Sequence, residues 1–71
     1  MINDNEYERS KIFFERKIPV HLSKINGTFL NGFLLEVNKN FIIINDKKFN
    51  NTIVFYSELK KSIEEFREVG E

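Results

Sequence analysis

Side chains that could act as nucleophiles or general bases are few in this chain. The only histidine, His21, lies in an alternating segment typical of a strand, and cysteine is absent. No nucleophile-elbow motif surrounds any of the four serines, which are Ser10, Ser23, Ser57 and Ser62. Gly27 and Gly32 are isolated, so no glycine-rich phosphate loop exists. The sequence therefore predicts a protein that is not an enzyme, with no cofactor and no metal site.

A second group of residues is suited to binding rather than to catalysis. The polar run Asn38-Lys39-Asn40 is followed by Phe41, and Tyr56-Ser57 follows a later apolar run. Amides, a cation and aromatic rings offer hydrogen bonds, charge and stacking surfaces. The simpler alternative is that Phe41 and Tyr56 are core residues and that the polar run only turns the chain.

Length and charge limit what these residues can belong to. The chain has 71 residues, so we expect a single domain with a modest core. Without a disulfide or a metal to stabilise it, self-association is the remaining way to bury more surface. Eleven basic and eleven acidic residues cancel, which argues against a large nonspecific nucleic-acid surface. No apolar run reaches transmembrane length, and we expect a soluble, cytoplasmic protein.

A helix and a hairpin are predicted in the first half of the chain. Asn3 and Glu6 fit a capping box, and acidic residues precede basic ones, so we predict a helix over about residues 4–14. Ile18 to Ser23 alternates as a half-buried strand, with Pro19 at its start. Asn26-Gly27 then predicts a type I′ hairpin turn, in which both residues have positive φ.

Three further strands follow the hairpin turn. The first of them, Thr28 to Val37, has apolar residues on both faces. We predict one face with Phe29, Phe33, Leu35 and Val37, and the other with Leu30 and Leu34. Gly32, in the middle, is typical of a sharp bend in a barrel strand. Phe41 to Ile44 and Thr52 to Tyr56 are predicted strands, separated by a polar loop over Asn45 to Asn51.

The C-terminal segment is consistent with two structures. Ser62 to Glu65 fits a capping box that would open a helix, whereas Lys61 to Val69 also fits a fifth, bent strand. We choose the strand, because five short strands with apolar residues on both faces bury one face by closing into a barrel. The predicted fold is mainly β: a strongly bent, five-stranded small barrel over about residues 17–69 with an N-terminal α-helix.

This order of elements resembles the Sm-like (Lsm/Hfq-type) family of small β-barrels over most of the chain. Val20-His21-Leu22, Asn26-Gly27, Gly32-Phe33-Leu34 and Val37-Asn38 look like the family's first motif. The run from Ile53 to Leu59 occupies the place of the second. The chain departs from both motifs. Asn38 stands where the family often has Asp, and Ile42 replaces the family's Asn after strand three unless Asn40 takes its role. Phe55-Tyr56 stands where Sm proteins have Arg-Gly, and Phe55-Tyr56-Ser57 where Hfq has Tyr-Lys-His.

The resemblance implies a function and a partner. Sm-like proteins form rings of six or seven subunits by pairing strands four and five, and they bind single-stranded RNA near the pore. Carried over, the RNA-binding residues are Asn38, Lys39, Asn40, Phe41, Tyr56 and Ser57. The corresponding subunit-interface residues are Ile53, Val54, Phe55, Ile63 and Phe66.

Two other small-barrel folds were compared with this pattern, and the first remains an alternative. An SH3- or Tudor-like barrel would bind protein partners without nucleic acid, and zero net charge and the missing Arg-Gly favour it. An OB-type barrel needs a helix between strands three and four, and the loop over Asn45 to Asn51 is too short to hold one.

Overall fold

The computed structural model describes residues 2–66, with side chains from residue 5 onward. Helix α1 spans Ile2–Glu15 and is followed by five strands: β1 (Val20–Ser23), β2 (Phe29–Val37), β3 (Phe41–Asp46), β4 (Asn50–Phe55) and β5 (Glu64–Glu65). The strands form one antiparallel sheet in the order β4-β3-β2-β1-β5. The predicted mainly-β fold, an N-terminal helix followed by a five-stranded sheet, is confirmed.

Helix α1 is longer than predicted and is not capped as predicted. It begins at Ile2, so Asn3 lies inside it rather than at its N-cap. Its C-terminus has the hydrogen bonds of a Schellman motif, from Lys17 N to Phe14 O (3.2 Å) and from Ile18 N to Phe13 O (3.0 Å). Lys17 adopts the left-handed conformation (φ 56°) that glycine usually supplies at this position. The chain is therefore turned toward β1 before it reaches Pro19.

The hairpin between β1 and β2 forms at Asn26-Gly27, but the predicted turn type is wrong. Gly27 has a φ of 92°, whereas Asn26 does not have positive φ. Gly27 N donates to Lys24 O (2.9 Å), and Lys24 N donates to Thr28 O (2.9 Å). This is the pattern of a three-residue loop with glycine in the left-handed position. Asn26 contributes through its side chain, whose Oδ1 accepts from Thr28 N (3.0 Å).

Gly32 lies in β2, between β1 and β3. It pairs with Val20 on β1 and with Asp46 on β3. A Cβ atom on Gly32 would lie 2.0 Å from the backbone oxygen of Asn45, so no other residue fits without moving the β3 backbone. The glycine predicted to bend this strand thus allows a close backbone contact.

A β-bulge in β2 changes which face its last residues occupy. The register with β3 shifts between Leu34 and Glu36. Leu30 and Leu34 share one face, as predicted, and that face is the core. Val37 also packs against the core rather than with Phe33 and the other outward residues. The extra residue reverses the alternation, which a strict period of two does not anticipate.

The remaining boundaries differ modestly from prediction. β3 continues to Asp46 and β4 begins at Asn50, so the predicted polar loop shrinks to the turn at residues 47–49. Asn50 has a φ of 61°, which asparagine tolerates. Near the C-terminus, Glu64–Glu65 pairs with β1, so these two residues of the segment form a strand rather than a helix. Residues 67–69 of the predicted fifth strand lie outside the described residues.

One core lies between the curled sheet and the helix. Its fully buried members come from β1 to β4 and from the segment that leads to β5, namely Val20, Leu22, Leu30, Ile42, Ile44, Val54, Tyr56 and Ile63. Tyr7 and Phe13 of α1 pack against this cluster. Burying one such aliphatic side chain stabilises the fold by about 1.5–3 kcal/mol. Within residues 2–66, α1 falls short of the length and apolarity that a membrane-spanning helix needs.

Candidate nucleic-acid interface

The loop that joins β2 to β3 contains most of the predicted RNA-binding residues. Asn38 N donates to Phe41 O (2.9 Å), which closes the loop. The Asn38 side chain donates from Nδ2 to Glu36 Oε2 (2.8 Å), so its amide nitrogen is already engaged. Lys39 and Asn40 at the tip are exposed. The loop therefore offers a cation and a free-standing amide to solvent on a closed backbone turn.

Tyr56 holds this loop from inside the fold. Its hydroxyl donates to Asn38 O (2.7 Å), and its backbone N–H donates to Asn40 O (3.1 Å). The side chain is 1% exposed. Burial raises the pKa of the phenol, and the hydroxyl of Ser10 offsets part of that rise. Tyr56 therefore remains a neutral hydrogen-bond donor, and its ring has no free face on which a base could stack.

Phe41 is the predicted stacking residue that remains accessible. It is half-buried and pairs with Phe55 across β3 and β4, with ring centroids 5.5 Å apart and planes tilted by 49°. Ser57 is exposed on the 3₁₀ turn Tyr56–Glu58 that follows β4. The fold thus brings both predicted segments to one end of the sheet, with Phe41 at the surface and Tyr56 beneath it.

The predicted subunit-interface residues divide between surface and core. Ile53 and Phe55 are 54% and 45% exposed on the outer face of β4. Val54 and Ile63 are fully buried, because alternation turns Val54 inward and Ile63 enters the core before β5. Phe66 is half-buried, and its N–H donates to Pro19 O (2.9 Å). The Val54 and Ile63 side chains are therefore core residues and do not reach a subunit surface.

Asp46, which sequence reasoning missed, organises the turn between β3 and β4. It is 4% exposed, and its Oδ1 accepts from Asn31 N (2.7 Å). Its Oδ2 accepts from Lys48 N (2.7 Å) and Phe49 N (3.0 Å). Burial raises the pKa of this carboxyl, but the three N–H donors and the Lys48 charge outweigh burial and hold the pKa below its usual value. An aspartate just before a polar turn was the available signal.

Glu6 is a second buried carboxylate, and it binds a distant backbone group that the sequence pattern did not predict. It is 3% exposed, and its Oε1 accepts from Ile63 N (3.0 Å) instead of capping the helix. Arg9 donates from Nε to Ile63 O. Helix α1 therefore fixes both backbone groups of the residue that precedes β5. The sequence separation of 57 residues explains why no local pattern indicated this contact.

The side chains that could bind a metal are dispersed. Among the side chains described, no three His, Cys, Asp or Glu residues are grouped closely enough to hold an ion. His21 pairs through Nδ1 with Asn31 Oδ1 and stacks on Phe29, with ring centroids 5.6 Å apart. Its neighbours are thus an amide and an aromatic ring on the outer face of the sheet.

Comparison with known proteins shows the fold. No family model matches this chain, and no curated protein matches it in sequence. Among solved structures, the 1.55 Å crystal structure of the pleiotropic translational regulator Hfq is similar with a TM-score of 0.70. The match covers 80% of this chain and 92% of the Hfq chain at 14% identity. The chain therefore has the Hfq-type, Sm-like fold.

Proposed function

We propose that this protein is a non-catalytic RNA-binding protein that assembles into a ring of six or seven copies. Single-stranded RNA would bind at the loops around the central opening. The observation that carries the proposal is the loop Asn38–Phe41, which Tyr56 fixes from below on a fold shared with the translational regulator Hfq. A loop held in one conformation loses little entropy when a ligand binds.

The edges of the sheet support assembly. β4 and β5 are its outer strands, and in the part of the chain described each has one paired neighbour. Unpaired edge groups of one subunit can therefore pair with the opposite edge of the next, which gives a head-to-tail contact that closes into a ring. Ile53 and Phe55 place exposed apolar surface on β4, without a charged residue between Asn50 and Phe55 to guard the edge.

The exposed loop residues support RNA as the ligand. Phe41 would stack on a base, Asn40 would read a base edge, and Lys39 would meet a phosphate. Asn38 and Tyr56 would act by holding the loop, and exposed Ser57 would add a hydroxyl beside it. Zero net charge is compatible with this arrangement, because a ring repeats Lys39 around one opening while the rest of the surface stays balanced.

Filter binding tests the RNA claim. We expect oligo(U) or oligo(A) to bind with salt-dependent affinity, and the double substitution Lys39→Ala/Asn40→Ala to weaken binding by about tenfold or more. Lys60→Ala/Ser62→Ala is the control, because both residues are exposed and Lys60 lies beside Ser23 at the β1–β2 hairpin. Affinity no better than about 10⁻⁴ M, the nonspecific range, would defeat the RNA claim. Light scattering after size exclusion tests the ring, which a clean monomer would contradict.

A second function belongs to a different class. The apolar outer surface at Phe41, Ile53 and Phe55 also suits a protein-interaction barrel of the SH3 or Tudor type that does not bind nucleic acid. Pull-down from a lysate with and without nuclease separates the two functions. Partners that persist after nuclease treatment, together with no binding to either oligonucleotide, favour the protein-interaction module.

A further inference from the structure

A groove on the outer face of the sheet lies apart from the loop Asn38–Phe41. Its volume is about 580 Å³. Its apolar lining includes Phe29, Phe33 and Phe66, and its polar lining includes Lys47 and Lys48. Gly32 lines the groove as well, at the point where the β2 backbone lies against Asn45 of β3. The volume falls in the range of small-molecule sites, and an apolar wall with a few polar groups is typical of them.

The polar end of the groove is rich in hydrogen-bond donors. Asp46 lines it, but both of its carboxylate oxygens already accept backbone N–H groups. The side-chain oxygen of Asn31 is bonded to the His21 ring, which leaves the Asn31 amide nitrogen as a donor. Asn45 thus supplies the remaining side-chain acceptor among the described lining residues. The charges of Lys47 and Lys48 together exceed the single negative charge of Asp46, so this end is complementary to an anion rather than to a neutral polar group.

The lysines are available to that anion. Among the side chains described, neither Lys47 nor Lys48 lies within salt-bridge distance of an acidic oxygen; the ion pairs there are Lys24–Glu58 and Lys61–Glu64. Asp46 holds the backbone of Lys48 and Phe49, so the start of the lysine turn is fixed. A preorganised cationic turn beside an aromatic wall binds an anion with little rearrangement.

From these contacts we infer that the groove binds a small amphipathic anion: a ring-sized apolar body against Phe29, Phe33 and Phe66, and a carboxylate or similar group on Lys47 and Lys48. A nucleotide is less complementary, because its ribose hydroxyls and base amino group are donors that need acceptors. This inference does not depend on RNA binding at the Asn38–Phe41 loop. It concerns different residues and a different ligand.

A pair of fluorescent probes tests the inference on the full chain. The anionic 8-anilinonaphthalene-1-sulfonate and the uncharged N-phenyl-1-naphthylamine share an aromatic body and differ in the sulfonate. We expect saturable binding of both, tighter for the anion. Lys47→Gln/Lys48→Gln should weaken the anionic probe by about tenfold or more and leave the uncharged probe within about twofold. Phe33→Ser should weaken both probes, because Phe33 belongs to the shared apolar wall.

Matched controls separate this site from general surface hydrophobicity. Lys60→Gln/Lys61→Gln makes the same charge change on exposed residues elsewhere and should leave both probes unaffected. Circular dichroism confirms that each variant is folded. Equal binding of the two probes, or an unchanged affinity of the anionic probe in Lys47→Gln/Lys48→Gln, would overturn the inference. Competition is the final arm: 2-naphthoate should displace the anionic probe, and displacement at lower concentrations by adenosine monophosphate would identify a nucleotide site instead.

Discussion

The hydroxyl of Tyr56 donates to the backbone oxygen of Asn38 over 2.7 Å. This bond joins the end of β4 to the loop between β2 and β3 across 18 positions of sequence, and it does so from inside the core. Tyr56, which was predicted to contact RNA through its ring, instead supports the loop whose exposed residues can contact RNA. The distinction has consequences for stability and for binding that mutation can separate.

Tyr56→Phe should destabilise the fold and loosen the loop. The substitution keeps the ring in the core but leaves the part-buried Asn38 O without its partner, and loss of such a hydrogen bond costs about 0.5–1.5 kcal/mol. Urea denaturation measures the loss. Tyr7→Phe is the matched control, because Tyr7 packs only against the rim of the core and no bond of its hydroxyl is present in the described residues. A loss in Tyr7→Phe as large as in Tyr56→Phe would contradict this assignment.

Gly32→Ala should be among the most damaging single changes in this chain. Its Cβ would meet Asn45 O at 2.0 Å, a backbone atom that moves only if β3 moves, so we expect a loss of about 3 kcal/mol or more, the upper range for strained substitutions. Gly27→Ala is the comparison, since space there is open but φ is 92°. That strain costs about 1–2 kcal/mol. Thermal or urea melts rank the two, and an equal or smaller effect at Gly32 would contradict the close contact.

Local patterns predicted the elements of this fold better than they predicted its contacts. Alternation at Val20 to Ser23, the Asn26-Gly27 turn and the mid-strand Gly32 each gave the correct element, because strand and turn preferences act over a few residues. The bulge near Leu35 and the reversal of Val37 were missed, since they depend on how β2 is paired with β3. Because these preferences are local, the sequence identified the residues near the Asn38–Phe41 loop but not the role of each.

Long-range hydrogen bonds determine those roles. Glu6 was predicted to cap its own helix, yet its carboxylate binds Ile63 N at the other end of the chain. Tyr56 was assigned to the RNA-binding residues, with a core position as the alternative, and the core position is confirmed. Residues from α1 and β2 that only the folded chain brings near it enclose the ring. Exposure of Lys39 and Asn40, by contrast, follows from their place in a polar turn.

Asp46→Asn should remove an acid-sensitive part of the stability. The pKa of the folded carboxyl lies below its usual value of 3.8, so the unfolded chain binds more protons in that range and stability rises with pH. This contribution is complete well above pH 3.8 and is lost as the pH falls through the pKa of the folded carboxyl. The destabilisation by Asp46→Asn, about 1–3 kcal/mol at pH 7, should therefore shrink toward pH 3.

Urea titrations at several pH values between 3 and 7 provide the measurement. Glu8→Gln removes an exposed carboxylate from α1 and serves as the control, with little change in stability expected at pH 7. If the difference between the original protein and Asp46→Asn were constant across this pH range, the charged form of Asp46 would not be what holds the turn.

Ile53→Lys/Phe55→Lys should dissociate the proposed ring without unfolding the subunit. Both side chains are about half exposed on the outer face of edge strand β4, so the folded monomer tolerates lysine there. Pairing this edge with a neighbouring strand would remove water from two added lysine charges per subunit. Charged residues on edge strands prevent pairing in natural proteins in this way. Light scattering after size exclusion should show a monomer in place of six or seven copies, with unchanged circular dichroism.

Ile12→Lys/Phe14→Lys makes the same chemical change on exposed positions of α1 and should leave the assembly intact. Dissociation by the helix variant but not by the β4 variant would place the subunit contact on α1 and remove the strand-pairing argument for a ring.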